Sequence, residues 1–276
     1  MLELPEVVTL ASQFEKAYQG KMITRALAGY TPHKFAFYEG DPVGYPGLLE
    51  GKTVDGSASF GGYAMMIAGD MRLGFSDGVN ARYLAPDEER PAKHQLLLDF
   101  DDGSSLVCTI SMYGFFGLCR ADDQGNEYFQ AAKGKPSPLS DAFDAAYFEG
   151  LLSNAKPTLS AKAFLATEQR VPGLGNGVLQ DILFRAGIHP KTKTGVLDDP
   201  ERKHLFDAVK STLIEMTRGG GRDTEKDLYG QAGGYRTILS RNTLDKPCPV
   251  CGGALIREAY LGGNIYFCPG CQPIKK

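Results

Sequence analysis

The chain has 276 residues, with 30 Lys+Arg against 33 Asp+Glu and a formal net charge of −3. That length holds two domains with cores of their own plus a small appendage, since domains commonly run to about 100–150 residues. The hydrophobic share is that of a globular protein, and no stretch approaches the roughly 20 apolar residues of a membrane span, so a soluble chain is expected and a membrane partner is not. The opening Met1-Leu2-Glu3-Leu4-Pro5-Glu6 is acidic where an export signal is basic, and no apolar segment follows it. Of six cysteines, Cys108 and Cys119 stand alone and four cluster near the end, a distribution that points to a reducing cytoplasm rather than a disulfide scaffold. Charge is uneven: residues 1–150 hold 12 Lys+Arg against 21 Asp+Glu, and residues 151–276 hold 18 against 12. A polyanion would therefore lie mainly on the C-terminal half; a solvated basic face is the alternative.

The first element is an amphipathic helix over residues 4–20, with Pro5 near its start and Val7, Leu10, Ala11, Phe14 and Tyr18 on one face. From Met22 to about Arg120 short apolar runs are broken by Gly, Asp and Pro, among them Tyr63–Ala68, His94–Phe100 and Ser105–Ser111. Asp101-Asp102-Gly103 reads as a hairpin turn, and an antiparallel β sandwich is expected over residues 1–120. Residues 121–140, with Gly125, Gly134, Pro136 and Pro138, read as a linker. Helical periodicity then covers 141–217, with Phe143, Ala146, Tyr147 and Leu151 on one face and Leu205, Ala208, Val209, Thr212 and Leu213 on another. A Gly-rich loop spans 218–247, and a cysteine segment fills 248–276. The fold class is α+β and multidomain.

Cys248-Pro-Val-Cys251 and Cys268-Pro-Gly-Cys271 are two CxxC pairs with 16 residues between them, the spacing of a zinc ribbon. Each pair turns two sulfurs toward one point, and Ala254–Ile256 and Ile265–Phe267 can pair as a hairpin between the knuckles. Four thiolates close a tetrahedron and leave no place for a substrate water, so one structural zinc ion is expected. Two redox disulfides or unligated cores are the alternative.

In Val171-Pro172-Gly173-Leu174-Gly175-Asn176 the glycines allow a tight backbone turn just before a helix, a geometry that presents N–H groups to an anion. Asn176 adds a side-chain donor and Lys162 a charge, which suits a DNA phosphate; a plain helix–helix turn explains the same residues.

Three separated motifs together resemble the formamidopyrimidine-DNA glycosylase and endonuclease VIII family of base-excision repair proteins. They are Glu3-Leu4-Pro5-Glu6-Val7, Gly173-Leu174-Gly175-Asn176 followed by Leu183-Phe184-Arg185-Ala186-Gly187-Ile188-His189-Pro190, and the cysteine segment ending in Cys271-Gln272. The resemblance implies an N-terminal helix with a β sandwich, a helix-two-turn-helix domain and a zinc finger that grip double-stranded DNA at a damaged or abasic site with the base flipped out. It implies a monomer acting on the bacterial nucleoid in the cytoplasm. Lys162 and Asn176, beside Gly175, match the phosphate ligands; Glu3 matches the catalytic carboxylate and Glu6 the second N-terminal glutamate. Asp181 stands where a glutamate is usual.

The departures are informative. Family members begin Met-Pro-Glu, and loss of Met exposes a proline amine that attacks the sugar C1′ to form a Schiff base. Here position 2 is Leu2, which favours retention of Met1; only if Met1 were removed could the Leu2 amine serve. The family's sandwich lysine aligns with Gly62 and its zinc-finger arginine with Gly263. The arginine that fills the vacated helix space aligns with Phe115, where an apolar wedge could act instead, and Phe75 matches another gap-filling position; core packing is the alternative for both.

Two functions follow. The first is a DNA glycosylase in which Glu3 assists water attack at C1′, with weak or absent strand cleavage because no Schiff base forms. The second is a non-catalytic sensor of damaged DNA, consistent with loss of the proline and of both cations at positions 62 and 263. An RNA- or protein-binding module fits less well, because the family's DNA-binding elements occur in order.

Overall fold

The computed structural model describes residues 1–123 and 127–275. Its first helix, α1 (Leu4–Tyr18), turns the expected face inward: Val7, Leu10, Ala11, Phe14 and Tyr18 are all buried, and Gly20 ends the helix with φ +82°. Phe14 meets Phe75 at 5.0 Å between ring centroids and Tyr18 stacks on Phe100 at 4.3 Å, so one helix face seats the strands beneath it.

The strands are β1 (Ile23–Ala28), β2 (Ala36–Tyr38), β3 (Val54–Phe60), β4 (Tyr63–Ala68), β5 (Met71–Leu84), β6 (Leu96–Phe100) and β7 (Ser105–Arg120), with a short helix α2 (Tyr45–Leu49) after β2. Hydrogen bonding joins them in one continuous sheet in the order β1-β6-β7-β5-β4-β3, rather than in two separate sheets. The cause is length: β5 and β7 stay paired over nearly their whole extent, so they belong to both halves of the layer that closes on the core. β2 departs from the antiparallel expectation by running parallel to β7. β6 and β7 turn at Gly103, at φ +83°, as the Asp-Asp-Gly tripeptide predicts.

A bulge interrupts β5 between Asp77 and Val79. It requires glycine, because a Cβ on Gly78 would sit 2.4 Å from the Tyr113 carbonyl oxygen. The distortion leaves the Asp77 carbonyl free to accept from the Leu2 amide at 2.5 Å, which pins the start of the chain to the sheet.

The expected linker contains a helix, α3 (Glu127–Lys133), whose Phe129 is buried edge-on against Phe60 and Tyr63. Apolar burial of one aromatic outweighs the local Gly and Pro signal there. Gln124, Gly125 and Asn126 of that linker lie outside the described residues. Helices α4 (Ala145–Asn154), α5 (Ala161–Ala166), α6 (Val178–Arg185) and α7 (Asp199–Arg218) then share a second core, with Leu205, Ala208, Val209, Thr212 and Leu213 all buried. Asp144 and Asp198 cap α4 and α7 through their side chains. Leu4 of α1 inserts into this helical core, so the first helix joins both domains. Residues 219–255 contain no helix or strand, and the chain ends in a hairpin of β8 (Ile256–Tyr260) and β9 (Gly263–Phe267).

Candidate active site and nucleic-acid interface

The turn at Gly173 is where the two domains meet. Its carbonyl accepts from the Leu4 amide at 2.8 Å, and a Cβ there would fall 2.4 Å from the Gly61 backbone. With φ +74° at Gly173 and +54° at Gly61, both close approach and backbone conformation demand glycine.

That contact delivers Glu3 to the N-terminus of α6. Its carboxylate accepts from the Gly177 amide (Oε1, 2.7 Å) and the Val178 amide (Oε2, 2.7 Å), both unsatisfied by the helix itself. Gly175 makes room, since a Cβ at that position would lie 2.7 Å from Glu3 Oε1. The glycine turn thus does present N–H groups to an anion, and the anion is a side chain of the protein. Glu3 is 3 % exposed. Burial pushes its carboxyl above the ordinary 4.5, while Arg222 and the two amides pull it back.

Arg222 is the residue that sequence reasoning missed. It lies in the Gly-rich loop, is 2 % exposed, and grips Glu6 through Nε (3.0 Å to Oε1) and Nη2 (2.9 Å to Oε2). Its own amide also donates to Glu6 Oε1 at 3.0 Å. Nη2 reaches the Met1 carbonyl at 3.2 Å, and Nη1 stands 3.7 Å from Glu3 Oε2. The α-amine of Met1 pairs with Glu225 of the same loop. Glu6 and Arg222 are 216 residues apart, so no local pattern could have joined them.

Lys162 and Asn176 are brought together by the hairpin. The Lys162 ammonium donates to the Tyr260 carbonyl at 2.6 Å, and Asn176 Nδ2 donates to the Asn264 carbonyl at 3.0 Å. Asn176 Oδ1 is buried and has no hydrogen-bond partner among the described residues. The turn between β8 and β9 places Leu261 at φ +48° and Gly262 at φ +72°. Gly263 packs on Asn176: a Cβ there would meet the amide at 3.4–3.5 Å. Gln180, also unanticipated, docks the hairpin by donating to Asn264 O (3.1 Å) and accepting from the Tyr266 amide (2.9 Å). Burial lowers the Lys162 pKa. Asp181 accepts from Tyr235 Oη and the amides of Ile238 and Leu239, so the shorter acid anchors the loop to α6.

Gly62 is different in kind. A Cβ there would be no nearer than 3.9 Å to any neighbour, one of which is the Leu2 carbonyl oxygen. Packing permits a side chain beside position 2, and none is present. Phe75 is fully buried, its ring against Phe14 and Phe116, as the core-packing alternative has it. Phe115 is half-buried on β7, over Gly117. Tyr113 on the same strand instead reaches the start of the chain, its hydroxyl 3.7 Å from the Met1 sulfur.

The four clustered cysteine sulfurs all lie within 4.8 Å of one another, with Cys248–Cys271 at 3.7 Å and Cys251–Cys268 at 3.4 Å. Tetrahedral thiolates about 2.3 Å from a zinc ion stand roughly 3.8 Å apart, so the set suits a metal of that size. Gln272, fully buried, accepts from the Cys268 amide at 3.0 Å and donates to Ile188 O at 2.9 Å, tying the knuckle to the helical domain.

The sheet and helical domains meet at a buried carboxylate while the cysteine hairpin docks on the helical domain, and comparison with known proteins shows which class of fold this arrangement resembles. Residues 135–226 match the formamidopyrimidine-DNA glycosylase H2TH domain. Formamidopyrimidine-DNA glycosylases of Streptococcus pyogenes serotype M6 and Bacillus cereus are 27 % and 26 % identical to the chain, each over 99 % of it and 98 % or 99 % of their own length. The Lactococcus lactis enzyme solved with abasic-site DNA superposes with a TM-score of 0.83 at 27 % identity, over 98 % of this chain and 99 % of that one. The same enzyme solved with formamidopyrimidine-dG DNA gives the same score. The H2TH match and the full-length similarities together support membership of the formamidopyrimidine-DNA glycosylase and endonuclease VIII family. Among the described residues no helix is long and apolar enough to cross a membrane.

Proposed function

We propose that the protein binds duplex DNA at damaged or abasic sites and removes the damaged base by hydrolysis of the N-glycosyl bond, with little or no strand cleavage. The observation that carries this reading is the Glu3 carboxylate, buried where the start of α1 meets α6 and held by two backbone amides at 2.7 Å. In that place a carboxylate stabilises positive charge developing on the sugar and orients the attacking water. Strand cleavage by elimination uses an imine as electron sink, and neither Pro at position 2 nor Lys at position 62 supplies the usual amines. The relatives are glycosylases over their full length and Glu3 is retained, so the sensor reading is not favoured.

Lys162 and Asn176 would hold a phosphate beside the flipped nucleotide, with Gly263 leaving that contact without the family's arginine. The cysteine quartet would hold one zinc ion in a structural role, because its four sulfurs leave no open position. A monomer acting on the bacterial nucleoid is the corresponding setting. The test is base release from a formamidopyrimidine-containing duplex by the wild type and by Glu3→Gln. Release that depends on Glu3 supports the reading; tight lesion binding with no release by either protein contradicts it.

A further inference from the structure

Three carboxylates converge on one guanidinium in the interior of this protein, and the family resemblance assigns no role to that cation. Arg222 offers Glu6 its fork, lies 3.7 Å from Glu3 and 3.9 Å from Glu225, and donates from Nη2 to the Met1 carbonyl as well. The backbone is shaped around it. A Cβ on Gly177 would fall 1.5 Å from Arg222 Nη1, and one on Gly233 would fall 2.6 Å from the Arg222 carbonyl oxygen and 2.2 Å from that of Gly221. Gly221 itself takes φ +101°. Two glycines and a left-handed turn are thus committed to bringing one arginine to the N-terminus of α6, where Glu3 is bound.

We propose that Arg222 is a positioning residue for Glu3: the guanidinium bridges Glu6 to Glu3, fixes the carboxylate against α6 and keeps it ionised in a site with almost no water. This rests on the glycosylase reading of Glu3. Without a cation, the Glu6 carboxylate in the first turn of α1 would repel the Glu3 carboxylate just before it and favour a proton on Glu3. With it, Glu6 neutralises the arginine's near side while the far side supports Glu3. The groups that face Glu3 are Glu6 from α1, Arg222 from the loop, Tyr113 from β7, and the Gly177 and Val178 amides from α6. Arg222 is the sole cation in that group. Its burial behind Glu6 keeps it from the DNA backbone, so its effect is on the chemistry of Glu3 and not on phosphate binding.

The test is a carboxyl-carbon NMR titration of Glu3 in the DNA-free full chain, assigned with Glu3→Gln, for wild type, Arg222→Gln and Glu6→Gln. Arg222→Gln raises the Glu3 midpoint by about one to three pH units, the usual reach of a guanidinium on a neighbouring carboxylate. Glu6→Gln lowers it, because the like charge is gone and the arginine is no longer shared. In base-release assays Arg222→Gln moves the acid limb of kcat in the same direction, while the Kd for tetrahydrofuran-containing duplex changes less than about threefold. A Glu3 midpoint that is unmoved or lowered in Arg222→Gln overturns the proposal. Should Arg222→Gln fail to fold, the double variant Glu6→Gln/Arg222→Gln decides against Glu6→Gln alone: a higher Glu3 midpoint in the double variant supports the proposal, and an equal or lower one overturns it. If wild type releases no base, the glycosylase reading fails, and the titration still judges the role of Arg222.

Discussion

The Lys162 ammonium donates to the Tyr260 carbonyl at 2.6 Å, so the charge that would meet a DNA phosphate also fastens the cysteine hairpin to the helical domain. Asn176 does the same through Asn264. In the proposed role the two residues would meet DNA from a surface they help to assemble.

Replacing either should weaken binding to a tetrahydrofuran-containing duplex. A charge-assisted hydrogen bond contributes about 1.5–3 kcal/mol, so Lys162→Ala is expected to lose roughly 10- to 100-fold in Kd, with a salt slope shallower by about one. Asn176→Ala is expected to lose less and to leave the slope unchanged. Fluorescence anisotropy across a salt series checks both, and unchanged affinity in the two variants refutes the assignment.

Glu3→Gln should keep DNA binding and lose about 10²–10⁴-fold in base excision, the usual range for a positioned acid–base group. The pH dependence carries a sign. Burial raises the Glu3 carboxyl above 4.5, and the active form is the carboxylate, so activity is present above the raised pKa and lost as pH falls through it. The acid limb of the single-turnover rate should therefore lie above 4.5. A limb at or below that value would place the titrating group elsewhere.

Gly177→Ala tests the packing around the same cluster. The backbone conformation there suits alanine, at φ −77°, so the cost arises from displacement of the Arg222 guanidinium. Overpacking of this kind destabilises by about 1–3 kcal/mol, visible as a lower midpoint in urea. Gly62→Ala, which meets nothing closer than 3.9 Å, should change that midpoint by less than about 0.5 kcal/mol.

Metal removal should act on the finger. Chelation of the purified protein is expected to release one zinc ion per chain and to abolish DNA binding, while the α1-and-sheet core, which shares no cluster with the cysteines, keeps its structure. Elemental analysis and circular dichroism measure the two effects. Full retention of binding after zinc loss would contradict a structural role for the finger in the DNA clasp.

The sequence carried the parts whose physics is local. The face of α1, the Asp-Asp-Gly turn and the two CxxC knuckles each follow from spacing alone, and the glycines at 173 and 175 mark a close approach because a Cβ would meet Gly61 or Glu3. Burial across the chain was less legible. Phe75 reads equally as wedge or core until Phe14 and Phe116 surround it, and α3 was hidden by Gly and Pro on either side of Phe129. Arg222 was invisible in function because its partners, Glu3 and Glu6, lie at the other end of the chain.

Base removal without an imine is the reaction proposed for this protein. Two parallel incubations of excess protein with a formamidopyrimidine-containing duplex decide it: one without reductant, scored for strand breaks before and after alkali, and one under borohydride, scored for a trapped protein–DNA adduct. Breaks only after alkali, and no borohydride-trapped adduct, are expected. Breaks without alkali that match base release, together with an adduct joined to the N-terminal amine, would contradict it.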